Sequence, residues 1–305
     1  MDPASAPPAL YAWAFAVGAA IGSFLNVVIA RLPHDQSIVK PRSRCPKCLA
    51  PIAWYDNVPI VSWIILRARC RNCRAPISVR YPLVELTGGA IAFAAMYRHG
   101  WSAAAAAEFA FAAVLIALAL IDIDTWLLPH ALTWPLIICG IALSYLGVTE
   151  AESVKLSLYG AAIGWSAFFL ISVASAKLVG NEALGFGDVW LLAGIGAWFG
   201  PYALLPIVFL AAFQGSAVGL TLIAIGKAEK GPEEAPAPAP ADAAAPAAAE
   251  EENWIPPKHA LYFGPFLVAG ALEWLYLSDH LDDWFPSLRF VIRLAHDTRL
   301  QILAG

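Results

Sequence analysis

The chain has 305 residues, 60% of them hydrophobic and only 14% charged, with a mean hydropathy of +0.65. That composition excludes an ordinary soluble domain and fits a polytopic membrane protein. The net charge is −4, and its distribution along the chain says more than its sum.

A membrane span needs about 20 mostly apolar residues. Apolar runs predict spans near 9–30, 82–98, 103–122, 127–147, 157–179, 188–200, 202–226 and 259–278. The expected fold is therefore an all-α polytopic membrane protein with about eight transmembrane helices. The sixth run is short, and Gly88-Gly89 interrupts the second. The first run lacks a basic start and leads straight into a basic loop, so it reads as a span and not as a cleavable signal peptide. The organisation expected is a first helix in 1–31, a loop in 32–81, a helical core in 82–227, a linker in 228–258, a last helix in 259–278 and a tail in 279–305.

The first loop is strongly basic. It holds Lys40, Arg42, Arg44, Lys47, Arg67, Arg69, Arg71 and Arg74, opposed by Asp35 and Asp56. Such an excess marks a cytoplasmic loop. Topology and anionic membrane lipid account for these cations, so nucleic-acid binding is not expected. Lys227, Lys230 and Lys258 fall on the same side in the eight-span scheme.

Two C-x-x-C pairs, Cys45/Cys48 and Cys70/Cys73, sit in that loop. The spacing is that of a zinc ribbon, in which four thiolates complete a tetrahedral site. A reducing cytoplasm disfavours structural disulfides, and neighbouring arginines favour thiolate. Free or redox-active thiols are the other reading. A zinc here would be structural, because a short loop with few large apolar residues needs a metal to fold. Cys139 stands alone in an apolar run and reads as a small core residue.

Ile121-Asp122-Ile123-Asp124-Thr125 closes one apolar run, and Gly185-Phe186-Gly187-Asp188 opens another. Carboxylates at such places are costly and point to function. Asp122 and Asp124 are about 200° apart on a helix, so only one faces a given partner. Both also read as acids that merely end a span, a reading that fits Asp124 better than Asp122, which lies deeper. Pro129 is expected in the first turn of the next helix. Gly185 and Gly187 permit close backbone approach. Asp188 has a second reading as a helix N-cap. Were Asp122 and Asp188 to meet, like-charge repulsion would keep one acid protonated, giving a base and an acid.

Together these residues resemble the bacterial type IV prepilin peptidases, the leader peptidase/N-methyltransferases of type IV pilus and type II secretion systems. The matching blocks are Gly22–Val28 with Arg31-Leu32-Pro33, the four cysteines, Arg80–Glu85, the Asp122 motif, Gly185–Asp188 with Leu191-Leu192-Ala193, and Phe263–Leu267. The resemblance implies a GxGD-type intramembrane aspartyl protease of the inner membrane, with zinc loop and active site facing the cytoplasm. It implies cleavage of the basic leader of prepilins and pseudopilins after a glycine, with Asp122 and Asp188 as the catalytic pair and Asp124, Gly185 and Gly187 supporting. It also implies methylation of the new N-terminal residue from S-adenosylmethionine. No glycine-rich nucleotide loop is visible; Glu85 is a candidate cofactor contact, or an interfacial acid at a helix start.

Two positions depart from the family pattern. His130 stands where an acid commonly follows Leu-Pro, and Trp190 stands where Lys commonly follows the GxGD aspartate. His130 also reads as an uneventful interfacial histidine. The Ala/Pro/Glu-rich segment between Lys227 and Lys258 reads as a disordered tether. Ser287–Ile302 fits an amphipathic surface helix. Asp124 and Glu182 are candidates for contacting a basic leader. A proton-coupled transporter using the two aspartates, or a non-catalytic zinc scaffold, are the rival readings.

Overall fold

The computed structural model describes residues 7–179, 185–225 and 262–284, with backbone alone at 178–179 and 279–284. The linker expected in 228–258, Lys227, Lys230, Lys258, Glu182 and the amphipathic tail expected in Ser287–Ile302 lie outside the described residues.

The described residues form nine α-helices: α1 (Pro8–Arg31), α2 (Val61–Ile65), α3 (Arg80–His99), α4 (Ala103–Thr125), α5 (His130–Ser144), α6 (Val154–Val179), α7 (Phe186–Phe199), α8 (Leu204–Ala224) and α9 (Gly264–Trp284). Each apolar run read from the sequence carries one of the longer eight. Four meet the length and hydropathy of a membrane span: α1 with its following turn, α4, α6, and α8 with its preceding turn. The other four fall short for physical reasons. Helices α5 and α7 have 15 and 14 residues. Helix α3 carries Arg80, Glu85, Arg98 and His99, and α9 carries Glu273 among other charged residues.

Local chemistry sets the helix ends. Ser102 caps α4, its side chain accepting from the Ala105 N–H at 3.2 Å. Helix α4 stops at Trp126, which adopts a left-handed conformation and donates its N–H to the Asp122 carbonyl at 2.8 Å. Pro129 stands at the N-cap of α5, one place earlier than its expected first-turn position.

Close packing uses glycine. A Cβ at Gly22 of α1 would lie 2.8 Å from the Glu85 Cα of α3. One at Gly164 of α6 would lie 2.7 Å from the Leu192 carbonyl oxygen of α7. Small residues let helices approach backbone to backbone where lipid offers no hydrophobic drive. Helix α7 is buried nearly all round, as an apolar helix without a polar face must be. Its Leu191, Leu192, Ile195 and Phe199 form the main core with Leu115 and Leu118 of α4, Ile207 of α8 and Leu267 of α9.

The loop between α1 and α3 is built from a repeated unit. Arg44–Ile52 and Arg69–Ile77 share the pattern Arg-Cys-x-x-Cys-x-Ala-Pro-Ile. The copies fold alike. Cys45 and Cys70 donate their N–H groups to the carbonyls of Ala50 and Ala75. Arg44 bridges Pro51, and Arg69 bridges Pro76. Leu49 and Arg74, each just after the second cysteine, take positive φ of 57° and 60°.

Candidate active site

Asp122 and Asp188 meet at one end of the bundle. Asp122 comes from the last turn of α4 and Asp188 from the first turn of α7, and they are 6% and 7% exposed. The third participant is Gly264, which opens α9. A Cβ added there would collide with the Asp122 carboxylate and sit 3.3 Å from Asp188 Oδ1. The two carboxylates thus flank one bare α-carbon. Asp122 Oδ2 and Asp188 Oδ1 are the carboxylate atoms that face it. Neither acid has an ion-pair partner among the described residues.

The surrounding chain explains this placement. Gly187 lies against Leu128, whose Cβ would be 2.8 Å from a Cβ at 187. Removing the side chain lets the turn after α4 seat on the start of α7. Trp126 stacks on Tyr262, ring centroids 3.7 Å apart, bringing the entrance of α9 to the end of α4. Gly185 differs. A Cβ there would meet nothing closer than Asp188 Oδ2 at 3.8 Å, and its φ of −64° is ordinary. Asp188 is not the N-cap of α7. Gly185 holds that place, and Asp188 sits in the first turn with its N–H donating to the Gly185 carbonyl at 3.0 Å. The helix dipole favours an acid there.

Asp124 points elsewhere, as its angular offset requires. It pairs with Arg80 of α3, whose Nη1 donates to Oδ1 at 2.7 Å. The two departures from the family pattern meet each other. His130 and Trp190 stand edge to face, ring centroids 5.8 Å apart, with Trp134 packed on both. Aromatic contact thus joins the start of α5 to α7 at these two positions.

The four loop cysteines form one cluster, all four sulfurs lying within 4.8 Å of one another. Cys45 Sγ and Cys73 Sγ are 3.8 Å apart, close to the sulfur separation of about 3.8 Å that follows from zinc–sulfur bonds of about 2.3 Å in a tetrahedron. Backbone N–H groups support the thiolates. The Ala50 N–H, with the Asn72 side chain, brings the Cys48 thiol down to about 6. Cys73 also receives a backbone N–H, from Ala75, but burial and the neighbouring sulfurs push it up to about 11.

Between this loop and the ends of α1 and α3 lies a cavity of about 760 Å³, lined by Ser23, Asn26, Tyr55, Trp63, Tyr81 and Glu85 among others. Glu85 is 8% exposed and accepts the Ile60 N–H at 2.7 Å through Oε2. Ile60 holds φ 63° and ψ −51°, a costly conformation for a β-branched residue. Glu85 therefore ties the loop to α3 as well as lining the cavity. Asp56, on another wall, is held by a hydrogen bond from Arg71 that keeps its carboxyl below the usual range.

Comparison with known proteins decides the family. Residues 16–99 match the family described as Bacterial Peptidase A24 N-terminal domain, and residues 109–220 match the Type IV leader peptidase family. The chain belongs to the type IV leader peptidase family. Among its relatives, the prepilin leader peptidase/N-methyltransferase of Myxococcus xanthus is 39% identical, covering 92% of this chain and 94% of its own. That of Burkholderia pseudomallei strain 1026b is 36% identical, covering 88% and 85%. That of Neisseria gonorrhoeae is 35% identical, covering 70% and 82%. No solved structure matches. As a member of an aspartic peptidase family, the protein is an enzyme. The transporter and scaffold readings are not favoured.

Sequence reasoning missed two residues of this neighbourhood. Gly264 was visible only as part of a matching block; the signal was a Gly-Pro at the start of an apolar helix. Arg80 was likewise in a block, with no mark that it would reach across to α4.

Proposed function

We propose that this protein is an intramembrane aspartic endopeptidase that removes the basic leader from type IV prepilins and pseudopilins, cutting after a glycine, and N-methylates the new terminus. The observation that carries the reading is the convergence of Asp122 and Asp188 on Gly264, both acids buried and without an ion-pair partner among the described residues. One carboxylate activates water as a base. The other, protonated, donates to the scissile carbonyl or the leaving amine. Asp124, Gly185 and Gly187 support the pair, of which Gly187 has the clear steric reason given above.

Zinc fits the four cysteines in sulfur spacing and in donor chemistry, and in this reading it holds the loop without entering the reaction. S-adenosylmethionine, which supplies a methyl group to an amine, fits the cavity above the α1 and α3 ends. Its volume lies within the range of about 300–1,000 Å³ typical of small-molecule pockets. Glu85 there offers a carboxylate opposite a cationic sulfonium.

The topology that suits this chemistry has eight helices crossing the bacterial inner membrane, with the loop and the aspartates on the cytoplasmic side. The basic loop supports that orientation. So does the gathering at one end of the bundle of the α1 exit, the α3 start, the α4 end and the α7 and α9 starts. Helix α7, short as it is, would cross inside the bundle, and α5, equally short, at its edge. The units proposed are the first helix (1–31), the loop (32–81), the core (82–227), the linker (228–258), the last helix (259–278) and the tail (279–305).

The test is cleavage of a prepilin in liposomes by wild type, Asp122→Asn and Asp188→Asn, with the product N-terminus read by mass spectrometry. Each variant should lose about a thousandfold or more in rate. The wild-type product should carry an added methyl. Normal cleavage by either variant removes that residue from the mechanism.

A further inference from the structure

Arg80 reaches the catalytic helix from the first turn of α3. Its Nη1 donates to Asp124 Oδ1 at 2.7 Å, and its Nη2 donates to the Leu120 carbonyl at 3.3 Å. Leu120 and Asp124 are one turn apart on α4, and Asp122 lies between them on another face. A fork with two fixed teeth on one turn opposes rotation of that turn about the helix axis. Rotation by one residue is about 100°, enough to swing Asp122 away from Gly264 and Asp188.

The other side of Arg80 is the cysteine loop. The Arg80 N–H donates to Ser78 Oγ at 3.2 Å. Ile77, one residue before Ser78, donates its N–H to the Ala68 carbonyl at 2.7 Å, and its own carbonyl accepts the Trp63 indole N–H at 3.1 Å. Ala68 and Ile77 bracket the second cysteine knuckle. The short chain segment from Cys73 to Arg80, pinned by the hydrogen bonds of Cys70 to Ala75, Ile77 to Ala68 and Arg80 to Ser78, thus connects the second knuckle to Arg80, and Arg80 to α4.

We propose that Arg80 is a positioning residue that locks the last turn of α4 and makes the aim of Asp122 depend on the folded cysteine loop. The proposal rests on the aspartyl-pair reading. The ion pair is about a third exposed on each side, so its worth to stability is small; its effect is on geometry. It also leaves Asp124 committed to Arg80, in place of contacting a basic leader.

The experiment uses the full-length enzyme in liposomes, with kcat and KM for prepilin and the melting temperature measured for each variant. Arg80→Ala and Asp124→Asn should each lower kcat by about tenfold to a hundredfold, with KM and melting temperature nearly unchanged. The double variant should be no worse than the poorer single, and Arg80→Lys should be intermediate. Cys73→Ser should lower kcat in wild type and much less in the Arg80→Ala background. Three results overturn the proposal: additive single effects, an equal Cys73→Ser loss in both backgrounds, or unchanged kcat with a KM that rises with leader charge. If Arg80→Ala does not accumulate, Asp124→Asn carries the same comparison. The aspartyl pair itself fails only if Asp122→Asn or Asp188→Asn still cleaves, which separates the two readings.

Discussion

Glu108 and Asp122 occupy opposite ends of α4, and each is 6% exposed. Their company differs. Glu108 receives the Arg98 guanidinium at 2.5 Å and His99 Nε2 at 2.6 Å, and Arg98 also reaches Glu150 at 3.5 Å. Asp122 faces a second acid, Asp188, across a glycine, with no ion pair among the described residues. Burial is equal; compensation is not. A buried acid with cations on it holds helices together, and removing its charge leaves the cations stranded. A buried acid set against another acid is held in place by the fold, at a cost, and such sites are where chemistry is found.

The sharpest way to break this contrast is Gly264→Ala. The added methyl enters the space of Asp122, so cleavage should fall by about a hundredfold while the protein still folds. Normal kcat would mean that the bare α-carbon between the acids is incidental. Glu108→Gln should do the reverse. It should cost about 3 kcal/mol of stability, read as a lower denaturation midpoint in detergent, with kcat per folded molecule kept within about twofold. A catalytic defect without destabilisation would put both ends of α4 in one class. The smallest effects separate the two glycines before Asp188. Gly187→Ala forces Leu128 aside and should cost about 1–3 kcal/mol together with activity. Gly185→Ala meets only ordinary contacts and should leave stability intact, with a loss of activity smaller than that of Gly187→Ala. Equal losses would show that the motif needs backbone freedom at 185 in a step the resting fold does not display.

Much of the helical layout was legible because apolar runs are long and their ends carry punctuation such as Ser102 and Pro129. The cysteine cluster was legible from spacing, since two C-x-x-C pairs leave a short loop little else to do. The offset between Asp122 and Asp124 followed from helix geometry, and the structure turns them toward different partners. Depth in an apolar run does not tell Glu108 from Asp122; that difference lies in Arg98 and His99, which arrive from another helix. The N-cap reading of Asp188 failed by three residues, because the helix begins at Phe186 and the cap falls to Gly185. Length and composition support four spans where apolar runs alone predicted eight. Helix α7 is short and buried nearly all round, whereas α5 is equally short but buries one face, leaving Trp134, Ile138 and Cys139 exposed, so Cys139 is not the core residue its apolar run suggested.

Gly264 enters the ribosome's product long after both aspartates. Through the synthesis of everything between Asp188 and that glycine, the nascent chain holds two acids and no partner to separate them. Their alignment is completed only when α9 docks. On the proposed mechanism, a chain cut short before residue 264 would own every acid of the motif and still be silent. In that mechanism, the proteolytic centre exists only in molecules whose α9 has packed against α4 and α7.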